Sequence, residues 1–164
     1  MSTLRQRTTQ AWSKARPDLD TTPMVVVGLV KEIAASLELS VEQVYADAGV
    51  TTTEVALLVA LRHSDGITAI RLAESLSMTR AGVSKALKAL ESRKMLTRTV
   101  NPHDHRSALI ELTDCGRRLI DDVFAEELRV HKELLANLGE SYDQAIATLC
   151  TLADAVTLNE RTFD

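Results

Sequence analysis

The chain has 164 residues, 45% of them hydrophobic but only 3% aromatic, with 6 glycines and 3 prolines. That length suits one domain or a compact two-part chain, and the scarcity of aromatics, glycine and proline argues against a barrel or sandwich and for a helical protein. Net charge is −4, yet between residues 80 and 106 seven basic side chains (Arg80, Lys85, Lys88, Arg93, Lys94, Arg98, Arg106) meet only Glu91 and Asp104, while the flanking segments carry −2 and −7. A basic block inside an acidic chain directs attention to a nucleic-acid partner despite the overall sign. No uninterrupted apolar run of about 18 residues is present, so no membrane span is expected. The polar segment Met1–Arg16 has no signal-peptide core, which points to the cytoplasm. Cys115 and Cys150 make neither a CxxC pair nor a zinc pattern and are expected to be reduced, half-buried thiols.

In chain order, Leu4, Ala11, Trp12 and Ala15 fall at helical spacing, predicting a short amphipathic helix over 3–15. Thr22 followed by Pro23 is a helix start, and Met24–Leu39 is apolar enough for a buried helix. A weaker helix, Val41–Ala48, ends at Gly49. Thr51 and Glu54 form a capping box before an apolar helix, Val55–Arg62. Ser64–Asp65–Gly66 is a turn, Thr68 caps Ala69–Leu76, and Ser77–Met78 is a tight connection. Thr79 caps the next helix, which runs to about Lys94 or Met95. Thr97–Val100 and Ala108–Leu112 are β-compatible runs on either side of the polar loop Asn101–Ser107, a hairpin with a long tip. Thr113 caps a helix to about Leu138, roughly 39 Å long, which Gly139 ends. Ser141 and Gln144 suggest a second capping box before a final amphipathic helix carrying Ala145, Ile146, Leu149, Leu152, Ala153 and Val156. A helix pair joined by a tight turn and followed by a small hairpin is the winged helix-turn-helix plan. The long apolar helices at both ends lack partners in so small a domain, so a second subunit is expected to cover them. The fold class is mainly α, in three parts: N-terminal dimerisation helices (1–50), a winged helix-turn-helix lobe (51–112) and C-terminal dimerisation helices (113–164).

The helix after Thr79 carries the chemistry. Val83, Ala86, Leu87 and Leu90 make one apolar stripe. Arg80, Ala81, Ser84, Lys85 and Lys88 fall opposite, a small, hydroxylic and basic face suited to the major groove. Lysine and arginine attract phosphates and donate to guanine, Ser84 can donate or accept, and Ala81 permits close approach. An ordinary basic surface helix has the same pattern, and the preceding helix and tight turn favour the DNA reading.

Two segments are more specific. Asp104-His105-Arg106 followed by Leu112-Thr113-Asp114-Cys115-Gly116 resembles the DxR…LTxxG pattern of the MarR family of transcriptional regulators. The run Leu72-Ala73-Glu74-Ser75-Leu76…Val83-Ser84-Lys85…Leu87…Leu90-Glu91…Leu96 resembles that family's helix-turn-helix. The resemblance covers about residues 24–157. It implies a homodimer with intertwined terminal helices, a palindromic double-stranded operator, a wing arginine (Arg106) entering the minor groove and a wing aspartate (Asp104) orienting a basic residue. Narrow A·T-rich minor grooves attract arginine on physical grounds as well. The candidate DNA-contacting residues are therefore Thr79, Arg80, Ala81, Ser84, Lys85, Lys88, Arg98, Asp104 and Arg106.

The resemblance also implies an effector site between the dimerisation helices and the DNA-binding lobe, with Trp12, Met24, Leu57 and Leu61 as candidates. The segment from Trp12 to Met24 is similar to the branch with an extra N-terminal helix that includes urate-responsive members. Trp12 matches that branch's tryptophan, but its aspartate and arginine positions fall at Ala56 and Ala86. A purine anion would lose its main charge partner, which leaves a more apolar aromatic or phenolic effector, a repressor released by it, or no effector. The alternatives are redox sensing through Cys115 or Cys150 and a winged helix used as a protein-interaction module. His103 and His105 beside Asp104 lack further ligands nearby, so neither metal nor cofactor is expected. GxSxG, P-loop, GxGxxG and HExxH signatures are missing, so the chain does not read as an enzyme.

Overall fold

A computed structural model describes residues 4–160, and the side chains of residues 7–157. Seven α-helices and one hairpin follow in order: α1 Leu4–Ala15, α2 Thr22–Asp47, α3 Thr52–Arg62, α4 Ala69–Ser75, α5 Arg80–Ser92, β1 Leu96–Val100, β2 Ala108–Leu112, α6 Asp114–Leu135 and α7 Tyr142–Glu160, with a 3-10 turn over Ala136–Ser141. The chain divides into two compact units, Met1–Leu128 and Arg129–Asp164, with the boundary inside α6. Thr3, the expected start of α1, lies outside the described residues.

The two helices expected over 24–48 are one helix, α2. No glycine or proline interrupts Glu38–Ser40, and the Ser40 hydroxyl donates back to the Leu37 carbonyl at 2.7 Å, so the ladder runs through. Its start also lies one residue earlier than expected. Thr21 is the N-cap without a side-chain cap bond, and the Asp20 carboxylate accepts the Thr22 N–H at 2.9 Å. The end is a Schellman arrangement: Gly49 has φ +66°, its N–H donates to Ala46, and the Val50 N–H donates to Tyr45.

The first unit's core is the winged helix. Val55, Leu57, Leu58 and Leu61 of α3, Leu72 of α4, Val83, Leu87 and Leu90 of α5, Leu96 of β1, Ile110 and Leu112 of β2, and Ile120 and Val123 of α6 are buried. The strands pair antiparallel with Leu96 opposite Leu112 and Val100 opposite Ala108. Ile67 adds an isolated bridge to Ile110, accepting its N–H at 2.9 Å, so the loop before α4 edges the hairpin. Thr51 and Glu54 form the expected capping box, and Thr68 caps α4.

In the second unit the expected helix to Leu138 stops at Leu135. The 3-10 turn contains Gly139 at φ +50°, a conformation glycine tolerates. The expected Ser141–Gln144 box does not form: Ser141 closes the 3-10 turn, and the Gln144 amide donates to Thr148 at 3.4 Å instead. Among the described residues no helix is long and apolar enough to cross a membrane. Cys115 and Cys150 are exposed rather than half-buried.

Candidate nucleic-acid interface

Helix α5 is organised by its cap. Thr79 has extended backbone, and its hydroxyl accepts the Gly82 N–H at 3.2 Å. That fixes the helix phase: Val83, Ala86, Leu87 and Leu90 turn into the core while Arg80, Ala81, Ser84, Lys85 and Lys88 are exposed. The turn before it is held by Ser77 at φ +51°, with the Ser77 N–H donating to Glu74 and the Met78 N–H to Ala73. A Schellman end is thus built without glycine, and it places α4 directly behind α5. A second one closes α5: Lys94 sits at φ +59°, and the Met95 N–H donates to Leu90. The helix therefore ends at Ser92 rather than at Lys94 or Met95.

The wing tip is cross-braced. The buried Asn101 accepts the His103 N–H on its Oδ1 at 3.0 Å and donates from Nδ2 to the Ser107 hydroxyl at 2.9 Å. The Ser107 N–H and hydroxyl both donate to the Asp104 carbonyl at 3.0 Å. The Asp104 carboxylate accepts the backbone N–H of Arg106 at 3.0 Å. Asp104 thus positions Arg106 through its main chain rather than through an ion pair with the guanidinium, and Arg106 is exposed at the tip. Side-chain-to-backbone bonds of this kind fix a turn that would otherwise sample many states.

Arg98 behaves differently. It is exposed on β1, opposite Ile110, and its Nε donates to Glu91 of α5 at 3.0 Å. It ties the hairpin to the end of α5, whereas Arg80, Lys85, Lys88 and Arg106 carry no such tie.

The hairpin is also clasped to α6. Thr113 accepts the Gly116 N–H at 3.1 Å as a cap, donates its hydroxyl to the Lys94 carbonyl at 2.8 Å, and gives its own N–H to the Met95 carbonyl at 3.1 Å. A Cβ on Gly116 would lie 2.0 Å from the Met95 oxygen, so only glycine allows this approach. The Thr113…Gly116 spacing noted in the sequence is therefore a packing motif that positions the base of the wing.

Two residues of this surface carry no specific signature in sequence: Asn101 and Arg93. Arg93, at the C-cap of α5, pairs with the buried Glu54 at 2.9 Å and also donates to the Gly49 carbonyl. Only the capping-box assignment of Glu54 hinted at this cluster.

The family model described as the MarR family matches residues 48–107, the segment that builds this surface. Over that segment the chain is similar to the MarR family. Among curated relatives, the uncharacterised HTH-type transcriptional regulator YdgJ of Bacillus subtilis is 38% identical over 91 residues, a match spanning 56% of each chain. The HTH-type transcriptional regulator PecS of Dickeya dadantii is 26% identical over 155 residues, 93% of each chain. The structure of the S. aureus MepR–DNA complex superposes with a TM-score of 0.69 at 25% identity, covering 79% of this chain and 96% of that one. The family's winged helix, mainly helical with a two-stranded wing, is the fold found here.

The effector candidates differ in exposure. Leu57 and Leu61 are 0% and 1% exposed, locked in the lobe core, whereas Trp12 and Met24 are 49% and 36% exposed. Ala86 belongs to the buried stripe of α5, so the position carries packing rather than charge.

Proposed function

We propose that the chain is a DNA-binding transcriptional repressor that acts as a homodimer on a palindromic duplex operator. The observation that carries the reading is the exposed Arg80, Ala81, Ser84, Lys85 and Lys88 face of α5, with Arg106 held at a braced wing tip alongside the same lobe. The helix offers contacts to base edges and phosphates, and the wing offers a cation for a narrow minor groove. The DNA complex obtained for MepR supports it. The dimer is supported by apolar faces left uncovered in the single chain. On α2, Val25, Val26, Val27, Leu29, Val30 and Ile33 are all exposed, and in the second unit so are Leu134, Ile146, Leu149 and Val156. Faces of this kind mark interfaces in proteins of this size. A two-fold dimer would set its two α5 helices on half-sites about 34 Å apart.

Selection of bound sequences from random duplexes, followed by binding titrations across a salt series, tests this reading. Affinity falling linearly in log–log form with salt is expected. Salt-independent binding, or none, would favour the protein-interaction module. Sedimentation of Val26→Glu and Leu29→Glu tests the dimer, and a dimer unchanged in both would refute that interface.

The finer reading is release by a small aromatic or phenolic effector. It rests on exposed Trp12 at the start of the chain and on the absence of an anion-pairing side chain at Ala56 and Ala86. Trp12 is the only tryptophan, so its fluorescence reports such binding directly. Phenolics that neither shift the emission nor release operator DNA would remove the effector. The redox alternative rests on the exposure of Cys115 and Cys150. Operator release by peroxide or quinone that survives in Cys115→Ser and Cys150→Ser would exclude it.

A further inference from the structure

The geometry points to Arg93 as a positioning residue for operator recognition, a clasp that sets α5 against the C-terminal end of α2. The inference rests on the DNA-binding reading above. Arg93 lies one residue past the end of α5. Its Nη1 donates to the carbonyl of Gly49, the residue at which α2 turns off, and its Nη2 donates to Glu54 Oε1 at 2.9 Å. The Glu54 side chain is 8% exposed, and its other oxygen accepts the Thr51 N–H at 2.8 Å and the Thr51 hydroxyl at 3.2 Å. One guanidinium therefore joins three elements: the end of the long apolar helix, the start of α3, and the end of the helix with the basic face.

The chemistry suits a coupling role. A carboxylate this buried needs its partner, so the pair resists opening far more than a surface ion pair does. The two-armed fork of arginine fixes direction as well as distance, which the point charge of lysine cannot do. A change in where α2 ends, from subunit contacts or from an effector, reaches α5 through the Gly49 carbonyl without passing through the hydrophobic core. The C-terminal end of α5 lies away from its Arg80–Lys88 face, so Arg93 acts on DNA only by aiming that face.

The test compares wild type, Arg93→Lys, Arg93→Ala, Glu54→Gln and the double variant on the wild-type-selected operator and on random duplex, each across a salt series. Glu54→Gln keeps its amide oxygen as the cap acceptor for Thr51 and turns an amide NH2 toward Arg93, removing both the charge and the acceptor opposite the guanidinium. Operator affinity is expected to fall about tenfold in Arg93→Ala and Glu54→Gln, with the double variant no worse than either, because coupled residues are not additive. Arg93→Lys should recover only part of the loss. Affinity for random duplex and the salt slope should not move, since no phosphate contact is lost. A slope reduced by about one would make Arg93 a phosphate contact and overturn the proposal. So would additive losses, or a lowered melting temperature with operator affinity unchanged. A wild type that binds no duplex in a salt-dependent way removes the DNA reading itself, and this inference with it.

Discussion

Gly116→Ala puts the clasp between wing and α6 to its hardest test. The added Cβ would sit 2.0 Å from the Met95 carbonyl oxygen and 2.9 Å from its carbon, against ordinary contacts of 3.4–4 Å. The two backbones must part by about 1.4 Å to restore contact distance. That displacement takes the Thr113 N–H to Met95 bond, now 3.1 Å, and the Thr113 hydroxyl to Lys94 bond, now 2.8 Å, out of range. Two hydrogen bonds lost at about 1 kcal/mol each, with overpacking strain of about 1–3 kcal/mol, give a destabilisation of about 3–5 kcal/mol. For a chain of this size that lowers the midpoint of thermal unfolding by about 10 °C. Circular dichroism melts at fixed protein concentration read it. Gly82→Ala is the control, because its Cβ would meet only the Thr79 hydroxyl, at 3.1 Å, on an exposed helix face. Its gain in helix propensity offsets the tight contact to within about 1 kcal/mol. A Gly116→Ala variant melting within about 2 °C of wild type would show that the Met95 contact does not fix the base of the wing.

Arg106→Ala should weaken operator binding while leaving the melting temperature in place, as the side chain is exposed and its backbone N–H still reaches Asp104; fluorescence anisotropy with a labelled duplex decides, and undiminished affinity removes the wing from recognition. Lys85→Ala and Lys88→Ala should each flatten the salt dependence by about one phosphate, and an unaltered slope means neither touches the backbone. Ser77→Gly should stabilise the fold by about 1 kcal/mol in urea titrations, because Ser77 holds a left-handed conformation that glycine adopts without strain; destabilisation would mean that the hydroxyl is needed there. Burial, with Glu127 accepting its hydroxyl at 2.9 Å, pushes the Tyr45 phenol well above its ordinary value. The folded state keeps that proton when the unfolded chain releases it, so this stabilisation is complete below about pH 10 and fades above it. Denaturant melts of wild type and Tyr45→Phe between pH 9 and 11 should show the steeper decline in wild type, and parallel curves would contradict the burial argument.

The local signals in the sequence were sufficient where one residue type has one physical use. Thr51 with Glu54, Thr68 and Thr79 each cap the helix that follows them, because a hydroxyl before an apolar-periodic run has few better partners than the free N–H groups. The stripe Val83, Ala86, Leu87 and Leu90 fixed which side of α5 is buried, and therefore which side carries Arg80, Ser84, Lys85 and Lys88. The Asp104…Arg106 and Thr113…Gly116 spacings placed the wing within the family pattern. Helix ends were less legible. Ser77 and Lys94 close α4 and α5 in left-handed conformations usually given to glycine, so nothing in the sequence marked Lys94 as outside the helix. Continuity of α2 through Ser40 was hidden in the same way, since a hydroxyl that bonds back to Leu37 resembles a cap signal.

What only the tertiary structure decided is pairing at a distance. Arg93 and Glu54 lie 39 residues apart and Gly116 meets Met95 across the hairpin; neither relation follows from spacing, because each depends on how α3, α5 and α6 pack. The same packing separated the arginines of the basic block. Arg98 is paired with Glu91 and Arg93 with Glu54, leaving Arg80, Lys85, Lys88, Lys94 and Arg106 exposed without such a carboxylate. Composition determined that the chain is helical and carries a basic segment. Which of those charges are paired was set by the carboxylates that the fold brings beside them.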